Sequence, residues 1–252
     1  MSEPLLRLDI KGGKAYAHPI TGQQVPSVTT VLDVVNKPAL KWWAAKVTAE
    51  FAVGNKDAWT GLPDDAAIKL LKGEPSRAVA GAAGVGTDAH EYCERILRGQ
   101  APQIPSASKF ASIHGRALEN VRALIDHVKP TPVALEATAW SEHGYAGSFD
   151  GLHIINEKLT LVDLKTSKGV YPDMALQLAA YRFADHILDE HGNESPLAAL
   201  PIEACQIWHT PKEGTWNVYT LTVDTNTHNA FLAALALWHW KNTQPKAVRQ
   251  PK

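Results

Sequence analysis

Two alternating stretches of apolar and polar positions, residues 145 to 155 and 158 to 165, stand out along the chain. Ile154, Ile155, Leu159, Leu161 and Val162 supply their apolar positions, and Asn156-Glu157 between them has the composition of a tight two-residue turn. A two-residue turn pairs Ile155 with Lys158. Counting back along both strands then places Asp150 directly opposite Asp163, with Cβ atoms roughly 4.5–5.5 Å apart. Lys165, two residues beyond Asp163, shares its face. Leu152, Ile154, Leu159 and Leu161 precede the charged trio on that face, so the core is expected to open into a cleft there.

The flanking pattern supplies the remaining elements. A strand over 133–140 precedes the hairpin, joined by Glu142-His143-Gly144. With Gly144 left-handed in a three-residue loop, Glu136 falls opposite Asp150; a two- or four-residue loop would put Phe149 there. Glu136 is therefore read as an auxiliary acid. Upstream come a short hairpin (Leu6–Ile10, Lys14–Ala17) and a helix from Pro26 capped by Ser27. Helices follow over 38–54, 63–72, 87–98 and 107–128. Downstream come a helix over 172–190 with Pro172 in its first turn, a loop over 191–200, strands over 203–210 and 215–223, and a helix over 226–241. From residue 107 the order is α-β-β-β-α-β-β-α, an α/β core around a central mixed sheet flanked by helices. Residues 1–79 form a mainly helical N-terminal accessory region in which Trp42, Trp43 and Trp59 read as packing residues. Residues 80–242 form the core and 243–252 a basic tail.

Composition narrows the partners. Hydrophobic content of 45% and charged content of 20% are those of a globular chain. The formal charge of −1 means that any nucleic-acid contact must come from a local basic patch. Cys93 and Cys205 are too few for a disulfide framework or a four-cysteine cluster. No apolar run reaches membrane-span length and Met1–Gly12 has no signal-peptide core, which points to the cytoplasm and to no membrane partner.

Two carboxylates facing each other destabilise a hairpin unless something neutralises them, and oxygen ligands of this kind suit Mg²⁺ or Mn²⁺. Four motifs occur in order: Gly86-Thr87-Asp88-Ala89-His90 on a helix, Gly147-Ser148-Phe149-Asp150, Asp163-Leu164-Lys165-Thr166, and Gln177-Leu178-Ala179-Ala180-Tyr181 on the next helix. The set resembles the PD-(D/E)xK nuclease superfamily, in particular its RecB-type and CRISPR-associated exonuclease branch with phage-encoded members. The stretches Pro26-Ser27-Val28-Thr29-Thr30 and Lys41 to Lys46 are similar to phage proteins of this type. The resemblance implies a restriction-endonuclease-like core and a Mg²⁺- or Mn²⁺-dependent exonuclease acting on DNA in phage recombination or DNA processing. It implies the host cytoplasm as location and a single-strand annealing or recombination protein as partner. Asp150 and Asp163 would be metal ligands, helped by the Leu164 carbonyl and by His90. Lys165 would orient the attacking water and stabilise phosphate charge, and Gln177 and Tyr181 would position the site. The four cysteines of an iron–sulfur cluster, carried by many relatives, are missing from this chain. A site-specific endonuclease on the same scaffold, or a DNA-binding or assembly protein without turnover, are the competing readings. Arg116, Lys168 and Arg182 are further candidate phosphate contacts.

Overall fold

A computed structural model of the chain describes residues 7–10, 13–101, 111–189 and 193–243. Two compact units result, one of residues 1–35 with 89–252 and one of residues 36–88. The first 35 residues thus go with the sheet rather than with the accessory helices.

In the sheet unit, strands β1 (Arg7–Ile10), β2 (Gly13–Ala17) and β3 (Gln24–Pro26) form a small antiparallel sheet. Helix α1 (Val28–Leu32) follows, with the Ser27 hydroxyl accepting the Thr30 N–H as the expected cap. The central sheet has seven strands. β4 (Thr131–Ser141), β5 (Tyr145–Ile155) and β6 (Lys158–Lys165) form its middle, and β9 (Ala204–His209) and β10 (Asn217–Thr220) extend one side. β7 (His186–Leu188) and β8 (Glu194–Pro196) extend the other. The order is β10-β9-β6-β5-β4-β7-β8, with only β6 and β9 parallel. This is the expected mixed α/β sheet flanked by helices.

Helices cover both faces. α1, α6 (Pro172–Arg182) and α7 (Thr225–Thr243) pack on one around Phe149, Leu152, Leu161, Leu178 and Phe231. The last turns of α4 (Glu74–Leu97), from Ala89, and α5 (Ala111–Val128) pack on the other around Leu124, Val162, Leu164 and Trp208.

The hairpin register is as the sequence predicts. Ile155 pairs with Lys158 across Asn156-Glu157, and both turn residues have positive φ, which matches the right-handed twist of the strands. The β4–β5 connection is the three-residue version: Ser141 pairs with Tyr145 and Gly144 has φ 85°. Asp185 fastens it by accepting hydrogen bonds from the Ser141 hydroxyl and the Glu142 N–H.

Several boundaries differ from expectation. α4 starts at Glu74 rather than 87 and takes in Gly81, Gly84 and Gly86. The helix expected over 172–190 stops at Arg182, because residues 186–188 gain more by pairing with β4 than by continuing a helix. Ile154 is not on an inner face but 37% exposed, where the sheet runs out beside Thr131. Residues 107–110 of the expected α5 start and the tail from 244 lie outside the described residues. Among the described residues no helix is long and apolar enough to cross a membrane.

The unit of residues 36–88 contains α2 (Pro38–Gly54) and α3 (Asp64–Lys72). Trp59 is tied down by its indole N–H, which donates to the Ala52 carbonyl at 3.0 Å, and Trp43 is half-buried. Trp42 departs from the packing role expected of it, being 78% exposed. Aromatic identity did not fix the side: α2 turns residues 43, 44, 47 and 48 inward and 42 outward.

Candidate metal centre

Strict alternation fails at one level of the sheet, and the candidate site is there. Phe149 and Leu152 belong to the same core cluster although one is odd-numbered and the other even, so β5 changes face between them. β4 does the same: Ala134 and Ala137 both pack on that core, and Glu136 between them holds φ 52°. A left-handed non-glycine residue inside a strand is strained by about 1–3 kcal/mol and persists only where its surroundings impose it. Here the effect is to turn Glu136 and Asp150 toward α4. The regular β5–β6 ladder ends at Gly151–Val162, one pair short of Asp150 and Asp163. Asp150 replaces the missing ladder bond with its side chain, Oδ2 accepting the Leu164 N–H at 2.5 Å.

His90 reaches Asp150 from α4, with Nδ1 3.0 Å from Oδ1. His90, Glu136 and Asp150 each offer a ligand atom, and these lie within 4.8 Å of one another. Glu136 is thus drawn into the site, consistent with the three-residue loop. Asp163 stands outside that trio. It is 3% exposed, its Oδ1 accepts from Gln177 Nε2 at 3.1 Å, and its Oδ2 has the Lys165 ammonium as ion-pair partner. Gln177 Nε2 also donates to the Tyr181 hydroxyl at 3.0 Å, one turn along α6. Leu164 enters the site through its N–H.

Each carboxylate therefore has its own cationic side chain, His90 for Asp150 and Lys165 for Asp163. The mutual repulsion expected from the sequence is already offset. Burial works to deprotonate His90, but the Asp150 charge and hydrogen bond, with Asp163 behind them, outweigh it and raise the imidazole to about 9. Burial likewise favours neutral Asp150, yet His90, then Lys165 and the Leu164 N–H, hold its carboxyl below the ordinary range. Burial and the neighbouring Asp150 raise Glu136 to about 8, with His90 in partial opposition. Lys165 is dehydrated too, but two carboxylates face it and it keeps its proton. Asp163 feels the same ammonium, yet its own burial and the Asp150 charge prevail, so its carboxyl is raised. His90 and Asp150 side chains are nonetheless 33% and 24% accessible, leaving the cluster open on one side.

Two glycines make room for this. A Cβ at Gly147 would lie 2.7 Å from Tyr181 Cε1 and 3.0 Å from Val28 Cγ2, so the motif glycine lets α6 and α1 close onto β5. A Cβ at Gly151 would lie 2.2 Å from His153 Nε2.

His153 was not singled out by any motif. It is 1% exposed, stacks on Trp208 with ring centroids 5.2 Å apart, and lines a narrow cavity with His90, Cys93, Glu94, Glu136 and Asp150. Burial lowers its pKa to about 4 despite the Asp150 charge. Glu94, four residues after His90, was within reach of helical spacing alone. Of the other basic candidates, Arg182 donates to the Val223 and Ile202 carbonyls and so ties loops together; Arg116 and Lys168 are exposed. Comparison with protein-family models and with curated proteins gave no match.

Proposed function

We propose that this chain is a divalent-cation-dependent deoxyribonuclease that hydrolyses phosphodiester bonds from the ends of DNA. The observation that carries the reading is the convergence, at the break between β5 and β6, of an imidazole, two carboxylates and a separate Asp–Lys pair. The donor set fits a cation of the Mg²⁺ or Mn²⁺ kind: His90, Glu136 and Asp150 offer one nitrogen and carboxylate oxygens within 4.8 Å, open on one side. The imidazole favours Mn²⁺ of the two. Such a cation supplies charge neutralisation at a phosphodiester oxygen and a more acidic water.

The chain's own residues divide the remaining work. Lys165, charged and held by Asp163, supplies a positive group to a phosphate entering between the strands. Asp163 fixes that ammonium and is itself fixed by Gln177, whose amide is oriented by the Tyr181 hydroxyl. Tyr181 is buried and cannot reach substrate, so the Gln–Tyr pair positions rather than reacts. Action from ends, a role in phage recombination or DNA processing, and an annealing or recombination partner are contributed by the family resemblance. End-labelled linear DNA and covalently closed circular DNA, each with Mn²⁺, Mg²⁺ or EDTA, test the reading. Stepwise loss of the linear substrate in either cation, with circles intact, is expected. Rapid linearisation of circles would replace the exonuclease by an endonuclease.

A further inference from the structure

α2 presents an aromatic ring to solvent. Trp42 is 78% exposed, whereas Trp43 and Trp59 of the same unit are half-buried. No residue of α2 is buried, and its outer face repeats Trp42, Ala45, Lys46, Ala49 and Val53 at i, i+3, i+4, i+7 and i+11. A scattered apolar surface residue is ordinary, but an indole is among the side chains most enriched at binding hot spots, so the charges around this one are informative.

Charge says what would cover it. Residues 36–56 hold Lys37, Lys41, Lys46 and Lys56 against one acid, Glu50, in a chain whose formal charge is −1. Lys41 and Lys46 are exposed beside Trp42, and Lys46 is 3.6 Å from Glu50 in a solvent-exposed pair, which binds weakly and yields readily to a phosphate. Flat aromatic surface among lysines suits a polyanion with accessible base faces. In a duplex those faces are buried in the stack; in a single strand they are free to lie on an indole. An apolar or acidic protein partner would find the lysines or the ring, respectively, of little use.

We infer that the Trp42 face of α2 is a stacking platform for single-stranded DNA, with Lys41 and Lys46 on the backbone phosphates. This rests on the nuclease reading for its choice of DNA, but not on the metal cluster. The test is fluorescence anisotropy of 5′-fluorescein-labelled dT20 in EDTA, where no cleavage occurs. Trp42→Ala should weaken binding by roughly 5- to 100-fold, and Trp42→Phe, which keeps a π-face, by no more than a few-fold. Lys41→Ala and Lys46→Ala should each reduce the slope of log affinity against log salt by about 0.7. Because the ring is exposed, all four variants should keep the wild-type melting temperature. Binding by Trp42→Ala equal to wild type overturns the platform. So does a wild-type dimer that Trp42→Ala dissociates without loss of dT20 binding, since the face would then meet a second copy. Cleavage measured in parallel separates the two readings. Active protein with unaffected Trp42→Ala binding sinks the platform alone, whereas lost Trp42→Ala binding in a protein that cleaves no DNA sinks the nuclease reading alone.

Discussion

Loading the His90–Glu136–Asp150 cluster with a divalent cation should release about two protons at pH 7. The number follows from the two raised groups. His90, held at about 9, and Glu136, held at about 8, both carry a proton at neutral pH in the metal-free protein. A cation needs both bare, and the occupancies at pH 7 are roughly 0.99 and 0.9. Apparent affinity should accordingly climb by about a hundredfold per pH unit below 7 and level off above 9. Stability carries the same signature. Both folded-state values lie above the ordinary ones of 6.5 and 4.5, so both groups stabilise the metal-free fold at low pH. The Glu136 contribution is lost as pH rises through 8 and the His90 contribution as it rises through 9. In EDTA the melting temperature should fall between pH 7 and 9, and saturating Mn²⁺ should remove most of that fall. Calorimetric titration of Mn²⁺ in buffers of differing ionisation enthalpy counts the protons directly. Glu136→Gln should release about one proton fewer. No proton release in the wild type, or the same count in Glu136→Gln, refutes the assignment of Glu136 and His90 to one ion.

Three other perturbations check separate parts of the structure. Asp150→Asn should lower the melting temperature in EDTA, since it removes the partner of charged His90, a loss of roughly 1–2 kcal/mol or about 2–8 °C; a rise would mean that repulsion from Asp163 dominates. His153 is held neutral, with its value near 4 against an ordinary 6.5. Its stabilisation is complete above 6.5 and lost as pH falls toward 4, so the urea-measured gap between wild type and His153→Gln in EDTA should narrow by roughly 3 kcal/mol from pH 7.5 to 4, and a gap independent of pH would show that the imidazole is not held neutral. Gly147→Ala should destabilise by about 1–3 kcal/mol in urea melts through its contact with Tyr181; an unchanged midpoint would mean that α6 does not close on β5 as described.

What was legible in the sequence is what local chemistry decides. Asn156-Glu157 and Gly144 set both hairpin registers, and those registers put Glu136, Asp150 and Asp163 at one level of the sheet. The face on which each acid ends up was not legible. It depends on the left-handed backbone of Glu136 and on the Asp150 side chain taking the Leu164 N–H, neither of which leaves a mark on alternation. The neutralisation of Asp150 was half legible. The motif pointed to His90, but a contact spanning sixty residues exists only once α4 is docked. The sequence reads as helix through β7 because Phe183, Ile187 and Leu188 continue an apolar pattern begun in α6; pairing with β4 decides otherwise. The exposure of Trp42 had no signal at all, since an indole reads as core wherever helical periodicity allows it.

The central claim is cation-dependent hydrolysis of DNA that requires Lys165. Single-turnover cleavage of an end-labelled linear duplex by wild type and Lys165→Ala, in Mn²⁺ and in EDTA, tests it most directly. The wild type should shorten the strand only with the cation, and Lys165→Ala should leave it intact while binding Mn²⁺ and DNA within a few-fold of wild type. DNA left whole by the wild type in every cation, shortening that continues in EDTA, or near-normal turnover by Lys165→Ala would contradict it.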